Sequence, residues 1–291
     1  MYDEILIPTD GSEGATAAVA RALDLARVAE ARVHALSVVD TTTEPGGVSA
    51  ADLGELRDRA AARCREAVEA VRDRAVAADL AVESEVREGS PYRAILDYVS
   101  AAGVDLVVMG THGTADGEHA RLGSTTQRVI TLADVPVLSV RLSTAAPPES
   151  GYGMYDHVVI PTDGSDVAER AADRAMEIAE RYGADVHVVY VVDSTTYDLS
   201  DAPRSIVGLL KEGGQRAIDE VAAAARERNL PVTSAVLRGR PAAEIQTYAS
   251  GVDADLIALG TRGRAAASDR LLGSTTARLV GGSEVPILTV S

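Results

Sequence analysis

MYDEILIPTDGS at residues 1–12 returns as MYDHVVIPTDGS at 154–165. Four further stretches return in the same order: SVVD at 37–40 as YVVD at 190–193, GVDLVVMGTHG at 103–113 as DADLIALGTRG at 253–263, LGSTT at 122–126 as LGSTT at 272–276, and DVPVLSV at 134–140 as EVPILTV at 284–290. The spacing is 153 residues early and 150 late, so the second copy is three residues shorter in its middle. A unit of this length is a duplicated domain, because solenoid repeats are several times shorter. The 291 residues divide into domains 1–146 and 147–291 around a Pro/Gly/Ser-rich linker, LSTAAPPESGYG, at about 142–153.

Each copy alternates strand and helix patterns. In the first, Glu4–Ile7 is a short apolar strand, and Ser12 caps a helix whose Ala18, Ala22, Leu25 and Ala26 fall at helical spacing. Strands follow at Arg32–Val39, Val82–Arg87, Asp105–Met109 and Pro136–Val140. Helices are expected from Ser49 to about Ala78, from Pro91 to Ala101, and over Ser124–Leu132. The alternation predicts an α/β fold: two tandem doubly wound, Rossmann-like domains of five parallel strands each, in the order 3-2-1-4-5. With no Phe or Trp, the core must be Val, Leu, Ile and Ala.

Charge narrows the function classes. Asp plus Glu is 44 against 28 for Lys plus Arg, a net charge of −16. So acidic a surface repels phosphate backbones and anionic lipid, which argues against nucleic acid and membrane as partners. Lys211 is the single lysine, and acid excess with almost no lysine points to a salt-rich cytoplasm, where screening makes such charge tolerable; a GC-rich genome favouring arginine codons is the other reading. The acidic N-terminus carries no signal-peptide pattern, no apolar run reaches membrane-spanning length, and one cysteine, Cys64, makes neither an internal disulfide nor a cysteine-based zinc site. The simple reading of these features is a cytoplasmic protein.

Doubly wound sheets bind ligands at the carboxyl ends of their strands, where the winding reverses. There the first copy has Pro8-Thr9-Asp10-Gly11-Ser12, and then Gly110-Thr111-His112-Gly113, nine residues, and Gly123-Ser124-Thr125. Gly110 and Gly113 let backbone amides approach a ligand without Cβ interference. Gly123-Ser124 opens a helix whose free amides suit an anion, with the Ser124 and Thr125 hydroxyls as further donors. Asp10 suits sugar hydroxyls. Phosphates at one end and a sugar at the other describe a nucleotide. The plainer reading is that the glycines end strands, Ser124 is an N-cap and Asp10 an Asx-turn residue. Both copies keep the set, with Asp163, Gly260, Gly263, Gly273, Ser274 and Thr275 in the second, while the intervening loops differ.

PTDGS, VVD after the second strand, and G-x2-G-x9-G-S-T before a terminal VPVLSV strand resemble the universal stress protein family, in its tandem form and its ATP-binding branch. The resemblance covers nearly the whole chain twice. It implies an adenine nucleotide alpha hydrolase-like fold and ATP, or another adenine nucleotide, in each half, with Mg²⁺ as a companion ion. It implies a site of Pro8, Thr9, Asp10, Val38, Gly110, His112, Gly113, Gly123, Ser124 and Thr125 in the first half. The matching positions in the second are Pro161, Thr162, Asp163, Val191, Gly260, Arg262, Gly263, Gly273, Ser274 and Thr275. Asp10 and the Val38 backbone would hold ribose and adenine; the glycines and hydroxyls would hold ribose and phosphates. The resemblance further implies pairing of domains through their last strands, as an intramolecular pseudo-dimer or a homodimer. The function it implies is that of a nucleotide-binding protein of stress response or regulation.

Catalytic signatures are missing: there is no G-x-S-x-G elbow and no P-loop lysine, so no catalytic residue is assigned and an efficient phosphoryl-transfer enzyme is not expected. Slow ATP hydrolysis and a dimerisation scaffold with vestigial sites stand as alternatives. The histidines His34, His112, His119, His157 and His187 show no ligand-like spacing, so no metal site is assigned; His34 and His187 read as packed or surface strand residues. Cys64 reads as part of a buried helix face.

Overall fold

The structure, a computed structural model, describes residues 1–42, 49–111, 122–142, 154–194, 204–263 and 271–291, with backbone alone at residue 50 and residues 204–207. Of the expected site, His112 and Gly113 lie outside the described residues, as does most of the linker. The chain forms two compact units, divided in sequence between Pro147 and Pro148.

The first unit runs β1 (Glu4–Pro8), α1 (Glu13–Ala29), β2 (Arg32–Asp40), α2 (Ala50–Ala77), β3 (Val82–Gly89), α3 (Pro91–Ala102), β4 (Leu106–Gly110), α4 (Ser124–Leu132) and β5 (Val137–Val140). Its strands are all parallel and ordered β3-β2-β1-β4-β5, the doubly wound arrangement expected from the alternation. The second unit repeats this with β6 (His157–Pro161), α5 (Asp166–Tyr182), β7 (Asp185–Asp193), α6 (Arg204–Glu227), β8 (Val232–Gly239), α7 (Pro241–Gly251), β9 (Leu256–Gly260), α8 (Ser274–Gly282) and β10 (Ile287–Val290). Its order is β8-β7-β6-β9-β10, again all parallel.

Central strands are covered on both faces. Ile5, Leu6 and Ile7 of β1 and Leu106, Val107 and Val108 of β4 are fully buried, as expected for parallel strands between helical layers. In the second unit His187 meets Tyr248 of α7, whereas Tyr190 lies against Gly214 of α6. Three residues apart on one strand, these side chains point to opposite faces. With α5 touching α6 and α7 touching α8, the four helices split two and two. The Tyr190 ring fills the place where a side chain on Gly214 would stand. The matching residues of the first unit are Ser37 and Cys64, a small strand residue and a larger helix residue.

Several boundaries differ from the periodicity, for local reasons. Strand four starts at Leu106 rather than Asp105. The Asp105 carboxylate instead accepts the backbone amides of Asp3 (2.8 Å) and Glu4 (3.1 Å), pinning the start of β1. Burial pushes that carboxyl above the usual carboxylate range, the amide donors pulling the other way. Asp255 repeats the clamp on Asp156 and His157. Strand five starts at Val137, after Pro136, which has no amide to give a ladder. Cys64 is half-buried rather than inside a buried face, and no residue from 51 to 66 of α2 is buried.

Candidate functional site

β1 is hydrogen-bonded to both β2 and β4, and the winding reverses between β1 and β4. The register pairs Ile5 with Leu106 and Leu6 with Val107. The segments that leave the carboxyl ends of these two strands therefore start side by side, at Thr9 and at Thr111. In the second unit Val158 pairs with Leu256 and Val159 with Ile257, with the same result at Thr162 and Thr261.

The turn after β1 is built by its own side chains. Thr9 is buried; its amide donates to the Leu36 carbonyl (2.8 Å) and its Oγ1 accepts from the Gly11 amide (3.2 Å). Gly11 takes a φ of 76°, the left-handed region that glycine occupies without strain. Asp10 Oδ1 accepts the Ser12 amide (3.0 Å), and Ser12 Oγ caps α1 on the Ala15 amide (3.2 Å). The second unit matches: Thr162 Oγ1 accepts from Gly164, and Asp163 Oδ1 accepts both the amide (3.1 Å) and the hydroxyl (2.6 Å) of Ser165. One oxygen of this carboxylate thus serves the turn, as the Asx-turn reading held. The other does something else. A Cβ on Gly263 would stand 2.5 Å from Asp163 Oδ2, so this oxygen faces the segment that follows β9. Asp163 and Gly263, 100 residues apart in sequence, are thereby brought together.

The glycines divide by role. A Cβ on Gly110 would come within 2.8 Å of the backbone C and O of Gly14, in the first turn of α1. At Gly260 it would meet Val167 Cγ1 at 2.8 Å and the Arg262 carbonyl at 3.0 Å. The first glycine of each motif therefore lets the helix after the first strand close onto the sheet, a packing role that the sequence pattern did not separate from ligand approach. Gly123 and Gly273 act at the neck of the loop. Their amides donate to the carbonyls of Thr111 and Thr261, at 2.9 Å in each unit. A Cβ on Gly273 would press on the Thr261 carbonyl at 3.2 Å.

α4 and α8 begin differently from α1 and α5. The latter carry a serine cap; Gly123 and Gly273 supply no side-chain cap. The first-turn amides of α4 and α8 are then available to a ligand, with the positive end of the helix dipole behind them. Ser124 and Ser274 are exposed and Thr125 and Thr275 half-buried at this opening. The next threonine, absent from the expected set, is structural: Thr126 Oγ1 donates to the Gly110 carbonyl and Thr276 Oγ1 to that of Gly260, each at 2.8 Å. The signal was in the sequence, since LGSTT is identical in both copies. Val38 and Val191 are half-buried near the carboxyl ends of β2 and β7, one strand over; Pro8 and Pro161 are the buried last residues of β1 and β6; Arg262 is half-buried beside Gly263.

His34 is a packed residue. It is buried, with Nδ1 2.9 Å from the Tyr98 hydroxyl and Nε2 2.6 Å from Glu4 Oε2. His187 is half-buried, with Nδ1 3.3 Å from the Tyr248 hydroxyl and Nε2 3.3 Å from His157 Nδ1. Burial, and then the neighbouring His157, hold its imidazole below the usual histidine range, with Asp185 opposing them. Among the described residues, no helix is long and apolar enough to cross a membrane.

The sequence profile of the universal stress protein family matches residues 1–141 and again 154–291. A universal stress protein of Methanocaldococcus jannaschii is 40% identical over 144 residues, covering 48% of this chain and 85% of its own length. One from Mycolicibacterium smegmatis is 28% identical over 301 residues, covering 98% of this chain and 96% of its own. The crystal structure of a universal stress protein from Archaeoglobus fulgidus superposes with a TM-score of 0.73 at 21% identity, covering 99% of this chain and 96% of that one; this likeness speaks to the fold. With both halves matched in sequence and the doubly wound topology present in each, the chain belongs to the universal stress protein family, in a tandem two-domain form.

Proposed function

We propose that each half binds an adenine nucleotide, ATP foremost, and that occupancy sets a surface read by a partner in a stress response. The observation that carries this reading is the placement of Asp163 Oδ2 against Gly263, beside a helix that opens on an uncapped Gly273-Ser274. A carboxylate oxygen accepts from sugar hydroxyls; uncapped amides and the Ser274 and Thr275 hydroxyls donate to phosphates. The crevice fits such a ligand, because Gly263 and Gly273 leave space that a side chain would take from the carboxylate and from the loop neck. In the first half Asp10, Gly123, Ser124 and Thr125 take the same parts, and His112 and Gly113 are the sequence counterparts of Arg262 and Gly263. Backbone groups at Val38 and Val191 would meet the base. Mg²⁺ would enter with the nucleotide, on its phosphates.

The carboxylates of the site, Asp10 and Asp163, are assigned here to the sugar rather than to the phosphates, and the chain carries no P-loop lysine, so the reading is of binding, with any hydrolysis slow. A cytoplasmic location, where adenine nucleotides are at hand, is part of this proposal, and the charge of −16 suits a salt-rich cytoplasm. The scaffold alternative is favoured by one observation: Gly110 is explained by packing against Gly14 without a ligand. Acid extraction of the purified protein, with identification of the released nucleotide, separates the readings. ATP supports the proposal; ADP or AMP alone points to a hydrolase. Neither a bound nucleotide nor ATP binding in a calorimetric titration would leave the scaffold.

A further inference from the structure

The amino ends of β6 and β7 lie at the edge of the second sheet opposite the nucleotide crevice. In their register His157 pairs with Asp185 and Val159 with His187. Side chains alternate along a strand, so His157, Asp185 and His187 share one face. His157 Nδ1 and His187 Nε2 stand 3.3 Å apart, with ring centroids 5.5 Å apart at 59°. The other nitrogen of His187 is held by the Tyr248 hydroxyl at 3.3 Å, and the Tyr248 ring flanks it edge-on at 6.0 Å. Asp255 fixes the start of β6 by accepting the His157 amide (3.0 Å).

The first unit shows what this corner does elsewhere. There His34 meets a carboxylate, Glu4, and Arg32 bridges Glu4 (3.7 Å) and Glu83 (2.8 Å). In the second unit Glu4 is replaced by His157, Arg32 by Asp185 and Glu83 by Thr233. A carboxylate–guanidinium–carboxylate ladder has given way to two imidazoles with a carboxylate in place of the guanidinium. The second exchange puts a negative charge where a positive one stood, which favours a cation at the two rings.

We propose that His157 and His187 form a two-imidazole site for a divalent transition-metal ion of the zinc class. Two imidazole nitrogens bound tetrahedrally at zinc distances lie about 3.4 Å apart, close to the separation seen. Imidazole suits zinc, copper and nickel ions, and a ligating histidine is oriented by a hydrogen-bond acceptor on its outer ring nitrogen, the part the Tyr248 hydroxyl can take for His187. The hydrogen shared by the neutral pair moves, through solvent, to the outer nitrogen of its own ring, so no net proton is released. Among the described residues no group of three ligand side chains is close enough to cage an ion. Water therefore completes the coordination sphere, and the ion exchanges readily. Bound there, it ties β6 to β7 and stabilises the second unit.

Zinc chloride titrated calorimetrically into the full, nucleotide-free chain at neutral pH, in a non-chelating buffer, tests this. One saturable site is expected, weakened about tenfold or more in H157Q and in H187Q and unchanged in H119Q. A measurement that needs no variant is the histidine ring NMR of the wild-type chain. Zinc should shift the His157 and His187 resonances and leave those of His34 in place. No saturable binding, affinity unchanged in H157Q, or unmoved His157 and His187 resonances would overturn the site.

Discussion

Asp163 Oδ2 occupies the position from which a side chain on Gly263 would be excluded, 2.5 Å from its Cβ, while Oδ1 of the same carboxylate holds the Ser165 amide and hydroxyl. The turn thereby fixes which oxygen is left facing the crevice. Gly263→Ala should displace that oxygen, weakening ATP binding in the second half about tenfold while the melting temperature stays within about 2 °C of wild type. Asp163→Ala should cost roughly 1–3 kcal/mol of binding, the range for a charge-assisted hydrogen bond. Calorimetric titration with ATP reads both; unchanged affinities in both variants would remove the proposed role of this carboxylate.

Gly110 and Gly260 should respond unequally to alanine. The added Cβ meets Gly14 backbone at 2.8 Å in the first unit and the tip of Val167 at the same distance in the second. Three backbone atoms of α1 crowd the Gly110 position within 3.1 Å, against one, the Arg262 carbonyl at 3.0 Å, at Gly260; backbone gives way less than a side-chain methyl, so Gly110→Ala should cost about 2–3 kcal/mol and Gly260→Ala about 1 kcal/mol. Denaturant unfolding of the full chain, followed by hydrogen exchange in each unit, resolves the two. A larger loss at Gly260 would contradict the packing argument.

Thr126→Val removes the 2.8 Å donor from the Gly110 carbonyl without changing shape much. The loss should be about 1–3 kcal/mol in the first unit, with Thr126→Ser recovering most of it. Equal stability of the valine and serine variants would show that the hydroxyl does not matter.

Alkaline conditions should weaken the first unit through Tyr98. Its ring is buried; burial, and then Glu85 and Glu83, raise its phenol above the ordinary range. An unfolded tyrosine loses its proton near pH 10, so above that pH the unfolded state binds fewer protons than the native one and stability falls as pH rises. Tyr98→Phe should flatten this decline above pH 10 while lowering stability at pH 7, because His34 loses its 2.9 Å partner. Melting curves from pH 7 to 11 measure both effects.

A net charge of −16 with one lysine predicts salt-dependent stability. Molar potassium chloride should raise the thermal midpoint by about 3 °C or more over low salt, by screening self-repulsion. Equal midpoints would count against adaptation to a salt-rich cytoplasm.

The fold was legible because strands such as Leu106–Gly110 are near-continuous apolar runs and several helices announce their starts with a capping serine (Ser12, Ser49, Ser165) or a first-turn proline (Pro91, Pro241), both local signals. Asp10 and Asp163 were legible as turn residues for the same reason. What escaped were properties that exist only after the strands are in register. Gly110 meets Gly14 in the helix packed on its strand, Thr126 reaches back 16 residues to a carbonyl, and His157 finds His187 only because β6 and β7 are parallel neighbours. Periodicity assigns a residue to a face; it does not say what the opposite element brings to that face.

Tyr190 against Gly214, where the other half has Ser37 and Cys64, has a consequence for how these halves can exchange parts. Tyr190 and Gly214 share one volume between strand and helix, so neither residue can be transplanted alone. Ser37→Tyr by itself would drive an aromatic ring into the helix that carries Cys64. Joined to Cys64→Gly it would reproduce an arrangement the chain already builds. Recombination between the two copies is thus constrained to breakpoints that keep β2 with α2, or β7 with α6. Duplication left two sequences free to drift, but only along paths where strand and helix changed together.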